Sequence, residues 1–375
     1  MDLYAQSINR KDLVQRHNII ITKADTLSSL TVGNGKFAYT VDITGLQTFP
    51  GEYENGIPLG TQSEWGWHSF PDTMGYNLEE ALKTYHLNGR DITYLVQWNS
   101  PERNKAAANW FRENPHRLQL GNLGFQLLKK DGLPATLSDI QNIRQELDLW
   151  TGEIKSHFTL ENIPVDVSTV SHGVDDVIAV RVVSQLINEG RIKIRMIFPY
   201  PTGEWEDAGI NRAHAGSHRT VVILNHTNGT VLLHELDTTK YYLRFWWNGE
   251  ASVKKLRPHD FIITPDPSKS SFEISVFFSP DKDYTSVPDY AATKISSEDG
   301  WKQYWKSGGA VDFSGSTDPR AFELERRIIL SQYLIKAQEA GSNPPQETGL
   351  TYNSWYGKPH LELHWWHAAH FAMWG

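Results

Sequence analysis

The sequence predicts a mainly β protein with an α-helical C-terminal part. The β part is a large antiparallel sandwich of two facing sheets, a supersandwich, and linker and helices follow it. Three observations predict this. From about residue 17 to 280, short β-branched or aromatic runs are cut by turns, and few stretches have helical period. Asn-Gly, the strongest short hairpin signal, falls between such runs at Asn34-Gly35, Asn88-Gly89, Asn228-Gly229 and Asn248-Gly249. Beyond residue 300 the apolar residues take up helical spacing. Strands without crossover helices must stack or close to bury a face. The region is too long for an immunoglobulin-sized sandwich of about 100 residues, so two large sheets fit better.

In chain order, Ile19–Thr22 and Phe37–Ile43 read as strands, Leu78–Leu82 as a short helix and Ile92–Trp98 as a strand. Lys105–Arg112 is a second short helix, Leu118–Leu128 a strand, and Leu137–Ile140 a further helical turn. Glu153–Leu160, Val165–Ser171, Val177–Ser184 and Ile192–Phe198 are strands. Thr220–His226 and Thr230–Leu236 form a plain hairpin about Asn228-Gly229, and Tyr241–Trp247 and Ser271–Phe278 complete the β region, residues 1–280. Residues 281–298 contain Pro288 and few apolar residues, a linker composition. Trp301, Tyr304 and Trp305 share a helical face within a linker that runs over residues 281–317.

A third unit opens at residue 318 and runs to 375. Ser316-Thr317-Asp318 offers an N-cap with Pro319 at the first helical position. Phe322–Gln338 is an amphipathic helix with Leu324, Ile328, Leu330, Leu334 and Ile335 spaced for burial. Asn343-Pro344-Pro345 breaks it, and His364–Trp374 forms a last helix. So few helices cannot enclose a core, so the sequence is expected to break off inside a larger helical domain. The face carrying Leu363, Trp366, Phe371 and Trp374 is then expected to be exposed.

Composition narrows the function. Net charge is −8 with scattered acids, against the clustered Lys and Arg that nucleic acid requires. No run of about 18 apolar residues is present to span a membrane. With 0 Cys there is no disulfide, thiolate metal site or Cys nucleophile. Fourteen Trp, 15 Tyr and 15 Phe occur in a chain of mean hydropathy −0.47, so many large rings lie in clefts or half-exposed surfaces. Sugars suit such surfaces; large sandwich cores also use rings. Leu3-Tyr4-Ala5-Gln6 reads like the remnant of a secretory signal, giving a periplasmic or secreted protein, with a cytoplasmic one as the other reading.

Four blocks together resemble glycoside hydrolase family 65 and its relatives. They are Thr31–Phe37, Gly60–His68, Gly349-Leu350-Thr351 and Trp355-Tyr356-Gly357. The resemblance implies a galactose-mutarotase-like β-supersandwich, a helical linker and the opening of an (α/α)6 six-hairpin barrel. In the family a Gly-Leu-Thr…Tyr-x-Gly-His-x-Phe-Trp-Asp segment sets an acid against the sugar. Tyr356, Gly357 and Glu362 fall on its Tyr, Gly and Asp, whereas Lys358 replaces its His and His360-Leu361 its Phe-Trp. The resemblance implies an oligosaccharide substrate, glycosidic-bond hydrolysis or inverting phosphorolysis, and no cofactor. It places the general-acid Glu beyond residue 375, so no catalytic residue is assigned here.

Trp355 to His367 is the segment richest in suitable chemistry. A pyranose needs a carboxylate for its hydroxyls, imidazoles as switchable donors and indoles under its C–H face. Trp355, Tyr356, His360, Glu362, His364, Trp365 and Trp366 are therefore the candidate substrate-binding residues. The same rings could instead pack between helical hairpins. His360, His364 and His367 have i, i+4, i+7 spacing, but Pro359 and the missing His-Glu-x-x-His order weigh against a metal site. The acidic clusters Asp175-Asp176 and Glu204–Asp207 read as solvated turns, and Trp65–His68 as a core or interdomain loop or a lip of the barrel mouth. A non-catalytic carbohydrate-binding module, or a β-sandwich that dimerises, is the rival reading.

Overall fold

The computed structural model describes residues 8–282 and 286–375, so the signal-like Leu3–Ala5 lies outside the described residues. Helix α1 (Arg10–Gln15) leads into β1 (Ile19–Ile21), β2 (Leu30–Gly33), β3 (Phe37–Val41), β4 (Thr61–Ser63) and β5 (Trp67–His68). An insertion follows: α2 (Leu78–Ala81), β6 (Leu82–Leu87), β7 (Arg90–Leu95) and α3 (Glu102–Glu113). It returns through β8 (His116–Arg117), which pairs with β5 at the base of the insertion. Next come β9 (Asn122–Leu127), β10 (Ile140–Asp148), β11 (Glu153–Leu160), β12 (Ile163–Ser171), β13 (Val177–Val183), α4 (Gln185–Asn188) and β14 (Ile192–Ile197). Six strands close the β region: β15 (His218–His226), β16 (Gly229–Leu236), β17 (Thr239–Trp247), β18 (Ala251–Arg257), β19 (Asp260–Pro265) and β20 (Ser271–Ser279). Helices α5 (Tyr290–Lys306) and α6 (Ala321–Gln338) and an irregular helical stretch over 361–373 complete the chain.

One layer is a nine-stranded antiparallel sheet in the order β1-β10-β11-β12-β13-β20-β17-β16-β15. The facing layer combines β18-β19-β14-β9 with β2-β3-β4. Two backbone bonds sew its parts together, Gln47 N–H to the Leu123 carbonyl and Leu120 N–H to the Thr61 carbonyl, each 2.9 Å. The alternating apolar residues of both layers meet in one core, where Phe37, Phe125 and Phe261 join Phe158, Ile178 and Phe278. This is the expected supersandwich with helices after it.

The structure corrects several elements. The helical turn at Leu137–Ile140 is a single 3-10 turn over Leu137–Asp139, and it opens β10, a nine-residue strand not expected there. Its register shifts between Gln141 and Arg144, with Asn142 in the left-handed region, which destroys the period of two. The largely exposed β18 was hidden by its charges. Asn248-Gly249 joins no hairpin: β17 belongs to the large sheet, whereas β18 pairs with β19 in the other layer.

Part of the linker stretch is helical. Asp289 accepts from the Ala292 N–H and caps α5, which buries Thr293, Ser297, Trp301 and Trp305 against the sandwich. Small polar residues in that stripe disguised its helical period. Helix α6 begins at Ala321 rather than at Pro319, and its buried stripe is Glu325, Ile329, Gln332, Tyr333 and Ala337. Leu324 is exposed, while Ile328, Leu330, Leu334 and Ile335 are half-buried. Trp301 stacks on Tyr333 at 4.4 Å, and the Tyr333 hydroxyl donates to the Thr31 carbonyl at 3.0 Å. Glu325 is buried because it accepts from Arg16 Nε at 2.8 Å, lies 2.6 Å from His17 Nε2 and takes the Phe313 N–H. Among the described residues no helix is long and apolar enough to cross a membrane.

Candidate functional site

The chain after α6 folds back onto the sandwich through buried polar groups. Arg117 Nε donates to Gln346 Oε1 at 2.8 Å, and its guanidinium also reaches the Ser63 carbonyl and stacks 4.1 Å above Trp67. Gln62 Nε2 donates to Asn353 Oδ1 at 2.9 Å, and Asn353 Nδ2 donates to the Arg117 carbonyl. Gly60 is obligatory, because a Cβ there would collide with the Thr351 carbonyl oxygen. The Gly60–His68 block and the Gly349–Gly357 block therefore touch each other. Trp65 donates to Asp176 at 2.6 Å, so the Trp65–His68 loop serves the core and this junction.

The junction presents a strained turn. Trp355, Tyr356 and Gly357 all lie in the left-handed region, with φ 47, 60 and 66°. Two consecutive non-glycine residues there are costly and persist where surrounding contacts over-determine them. Tyr356 N–H donates to the Trp205 carbonyl at 3.1 Å, and Lys358 Nζ lies 5.6 Å from the Tyr356 ring. The Trp355 indole meets Trp205 edge to face at 5.0 Å and lies 6.0 Å from His360. Trp355 is 40% and Trp205 45% exposed. The acidic loop read as a solvated turn thus lies beside the candidate segment. Together with Glu54 and Tyr352, Glu204, Glu206 and Asp207 line a cleft of about 780 Å³.

The remaining candidates lie farther along the chain. Glu362 occupies the first turn of the irregular helix, exposed, and its carboxylate accepts no hydrogen bond among the described residues. His364 is exposed, and Trp365 is 72% exposed. Trp366 is 69% exposed and lines a second, apolar groove of about 490 Å³ along α6, with Leu334, Ile335, Met373 and Trp374. On the face expected to be exposed, Trp366 is so, Phe371 and Trp374 are half-buried, and Leu363 is buried. The structure groups Trp355, Tyr356 and His360 about Trp205 and sends Trp366 to the groove. Beside that groove His367 Nδ1 lies 2.7 Å from the Glu339 carboxylate, which raises the imidazole above its ordinary value.

Among the described residues, the one group of His, Asp and Glu near enough to share a metal ion is His218, His234 and His259, buried in the sandwich. Hydrogen bonds already occupy these rings. His259 Nε2 donates to the Ala215 carbonyl at 2.9 Å, so its Nδ1 accepts the Thr220 hydroxyl proton at 2.8 Å. Thr220 Oγ1 then accepts from His234 Nδ1 at 2.7 Å, and His234 Nε2 faces His218 Nδ1 at 3.5 Å. A cation bound by all three rings would have to displace Thr220. Burial holds His218 down to about 4 and His234 well below its ordinary range, so the cluster is neutral.

A solved structure assigned as a kojibiose phosphorylase, from the human microbiome, superimposes with TM-score 0.58 at 12% identity over 91% of this chain. The fold is glycoside hydrolase family 65-like. A bacterial glucoamylase complexed with acarbose aligns at TM-score 0.42 and 10% identity over 86% of the chain. The chain spans 44% of the length of each of those two proteins. No protein-family model and no curated protein matches the sequence. Sequence reasoning missed the contact of Trp205 with Trp355; an indole set between acidic residues on a Gly-containing turn was the signal available for it.

Proposed function

We propose that this chain belongs to a carbohydrate-active enzyme that cleaves a glycosidic bond of an oligosaccharide, by hydrolysis or inverting phosphorolysis. The observation that carries the reading is the left-handed Trp355-Tyr356-Gly357 turn. It stands at the position where the family 65 motif matches, is locked to the sandwich and opens beside an acidic cleft. The family 65-like fold is compatible with the reading. In it Trp355 and Tyr356 give apolar faces to a pyranose, while His360, Glu362 and His364 hydrogen-bond its hydroxyls. Trp365 adds an exposed ring on the same helix, whereas Trp366 lies in the separate groove along α6 and would meet only a longer oligosaccharide. Cleavage needs a general acid at the leaving oxygen, and that role is given to no residue of this chain.

The test is a product assay on the full gene product with kojibiose, maltose and trehalose, with and without inorganic phosphate. Free sugar formed without phosphate means hydrolysis, and a sugar phosphate formed only with phosphate means phosphorolysis. Binding without turnover would leave a non-catalytic binding module, and neither binding nor turnover would sink the reading.

A further inference from the structure

The sandwich and the insertion both reach the Trp355 turn, through side chains that the family motif does not contain. Trp205 stands on the loop between β14 and β15, with its ring edge to face with Trp355 at 5.0 Å and its carbonyl on the Tyr356 N–H. Both indoles are half exposed, Trp205 lies in sequence between Glu204 and Glu206, which line the acidic cleft with Tyr352, and no hydrogen bond ties either indole N–H among the described residues. On the other side of the turn, Lys358 Nζ donates to the carbonyls of Phe111, Arg112 and Asn114 at 3.2, 2.6 and 3.2 Å. These are carbonyls at the C-terminus of α3, where a cation is favourable and where each ammonium proton finds an acceptor. Lys358 stands where the resemblance expects His, and the clamp accounts for that departure.

We propose that Trp205 is a sugar-contacting residue of the same site, paired with Trp355, and that Lys358 is the positioning residue that holds Trp355 against it. This rests on the carbohydrate reading above. Two half-exposed indoles with unengaged N–H groups, set edge to face and next in sequence to the acids of a cleft, match the apolar face and polar rim of a pyranose. The strained turn supplies the geometry, and a strained turn needs fastening on both sides. Trp205 fastens it from the sandwich, and Lys358 fastens it from the insertion.

The experiment is calorimetric titration of the full gene product with kojibiose and maltose, for wild type and variants. Trp205→Ala is expected to weaken sugar binding about tenfold, the scale of losing an aromatic anchor, with an unchanged melting temperature. Lys358→Met is expected to weaken it comparably, and Lys358→Arg, which can still donate to the three carbonyls, to restore most of it. The double variant Trp205→Ala/Lys358→Met should be no weaker than Trp205→Ala alone, because Lys358 acts through the indole pair. Additive losses would overturn the positioning role, since a clamp that merely stabilises the fold acts independently. Undiminished binding by Trp205→Ala, while Glu362→Gln weakens it, would overturn this inference and leave the carbohydrate reading standing. No binding of either sugar by the wild type would overturn both.

Discussion

Glu362 projects into solvent from the first turn of its helix and accepts no hydrogen bond among the described residues, which separates sugar binding from helix capping. A helix cap would hold backbone amides, and this carboxylate holds none. Glu362→Gln should therefore leave the melting temperature within the small range of surface substitutions. If the residue binds a sugar hydroxyl, turnover in the full enzyme should fall about tenfold, since losing such a bond costs roughly 1–3 kcal/mol. Unchanged turnover would remove it from the site. Arg117 is the opposite case, a buried guanidinium whose acceptors are Gln346 and the Ser63 carbonyl. Arg117→Met leaves both unsatisfied, and chemical denaturation should show a loss of roughly 2–4 kcal/mol. Motif and ring density pointed to Trp355 and Tyr356, which the structure sets against Trp205. Residue chemistry was not legible at Arg117, Asn353 or Gln346, because their partners lie more than 200 residues away in sequence.

At the scale of elements, hairpins with both strands in one sheet were readable: β15 and β16 pair about Asn228-Gly229 as expected. The same dipeptide at Asn248-Gly249 carries the chain from one layer to the other, because turn chemistry does not encode which sheet the next strand joins. The buried stripe of α6 was misplaced for a related reason. Glu325 is polar, and only its tertiary partners Arg16 and His17 make its burial favourable. Docking of the 346–357 segment on β4 depends on the missing side chain of Gly60. Gly60→Ala would force its Cβ into the Thr351 carbonyl or push the segment off the sandwich. Thermal melting should reveal a loss of at least about 3 kcal/mol, in the range of severe steric substitutions. A neutral result would mean that the two blocks do not touch in solution.

The architecture of the whole molecule was the most legible feature, since two dozen alternating runs and turns leave few ways to bury so many rings. Its pH response was invisible in sequence, because burial sets it. His68 and His218 are held to about 4 and His116 to about 3, each chiefly by desolvation, and His234 and His259 are also lowered. The unfolded chain takes up these protons near about 6.5. Between there and about 4 the unfolded state binds more protons, so stability is full above that window and falls as pH drops through it. Buried Asp42 and Asp176, raised to about 6, act in the opposite sense but are outnumbered. Unfolding free energies from urea titrations between pH 7 and 5 should decline, His68, His116 and His218 each contributing roughly 1–2 kcal/mol; a flat profile would contradict the burial of these rings. The pairing of β5 with β8 sets Trp67 opposite Arg117 and His68 opposite His116, so residues 69–115 leave and re-enter the sandwich at adjacent points. Lengthening such a segment costs little, about 0.6 kcal/mol per doubling of a flexible loop. An appendage rooted this way can change length without disturbing the register of any strand in the sandwich, so long as the Phe111, Arg112 and Asn114 carbonyls stay on Lys358.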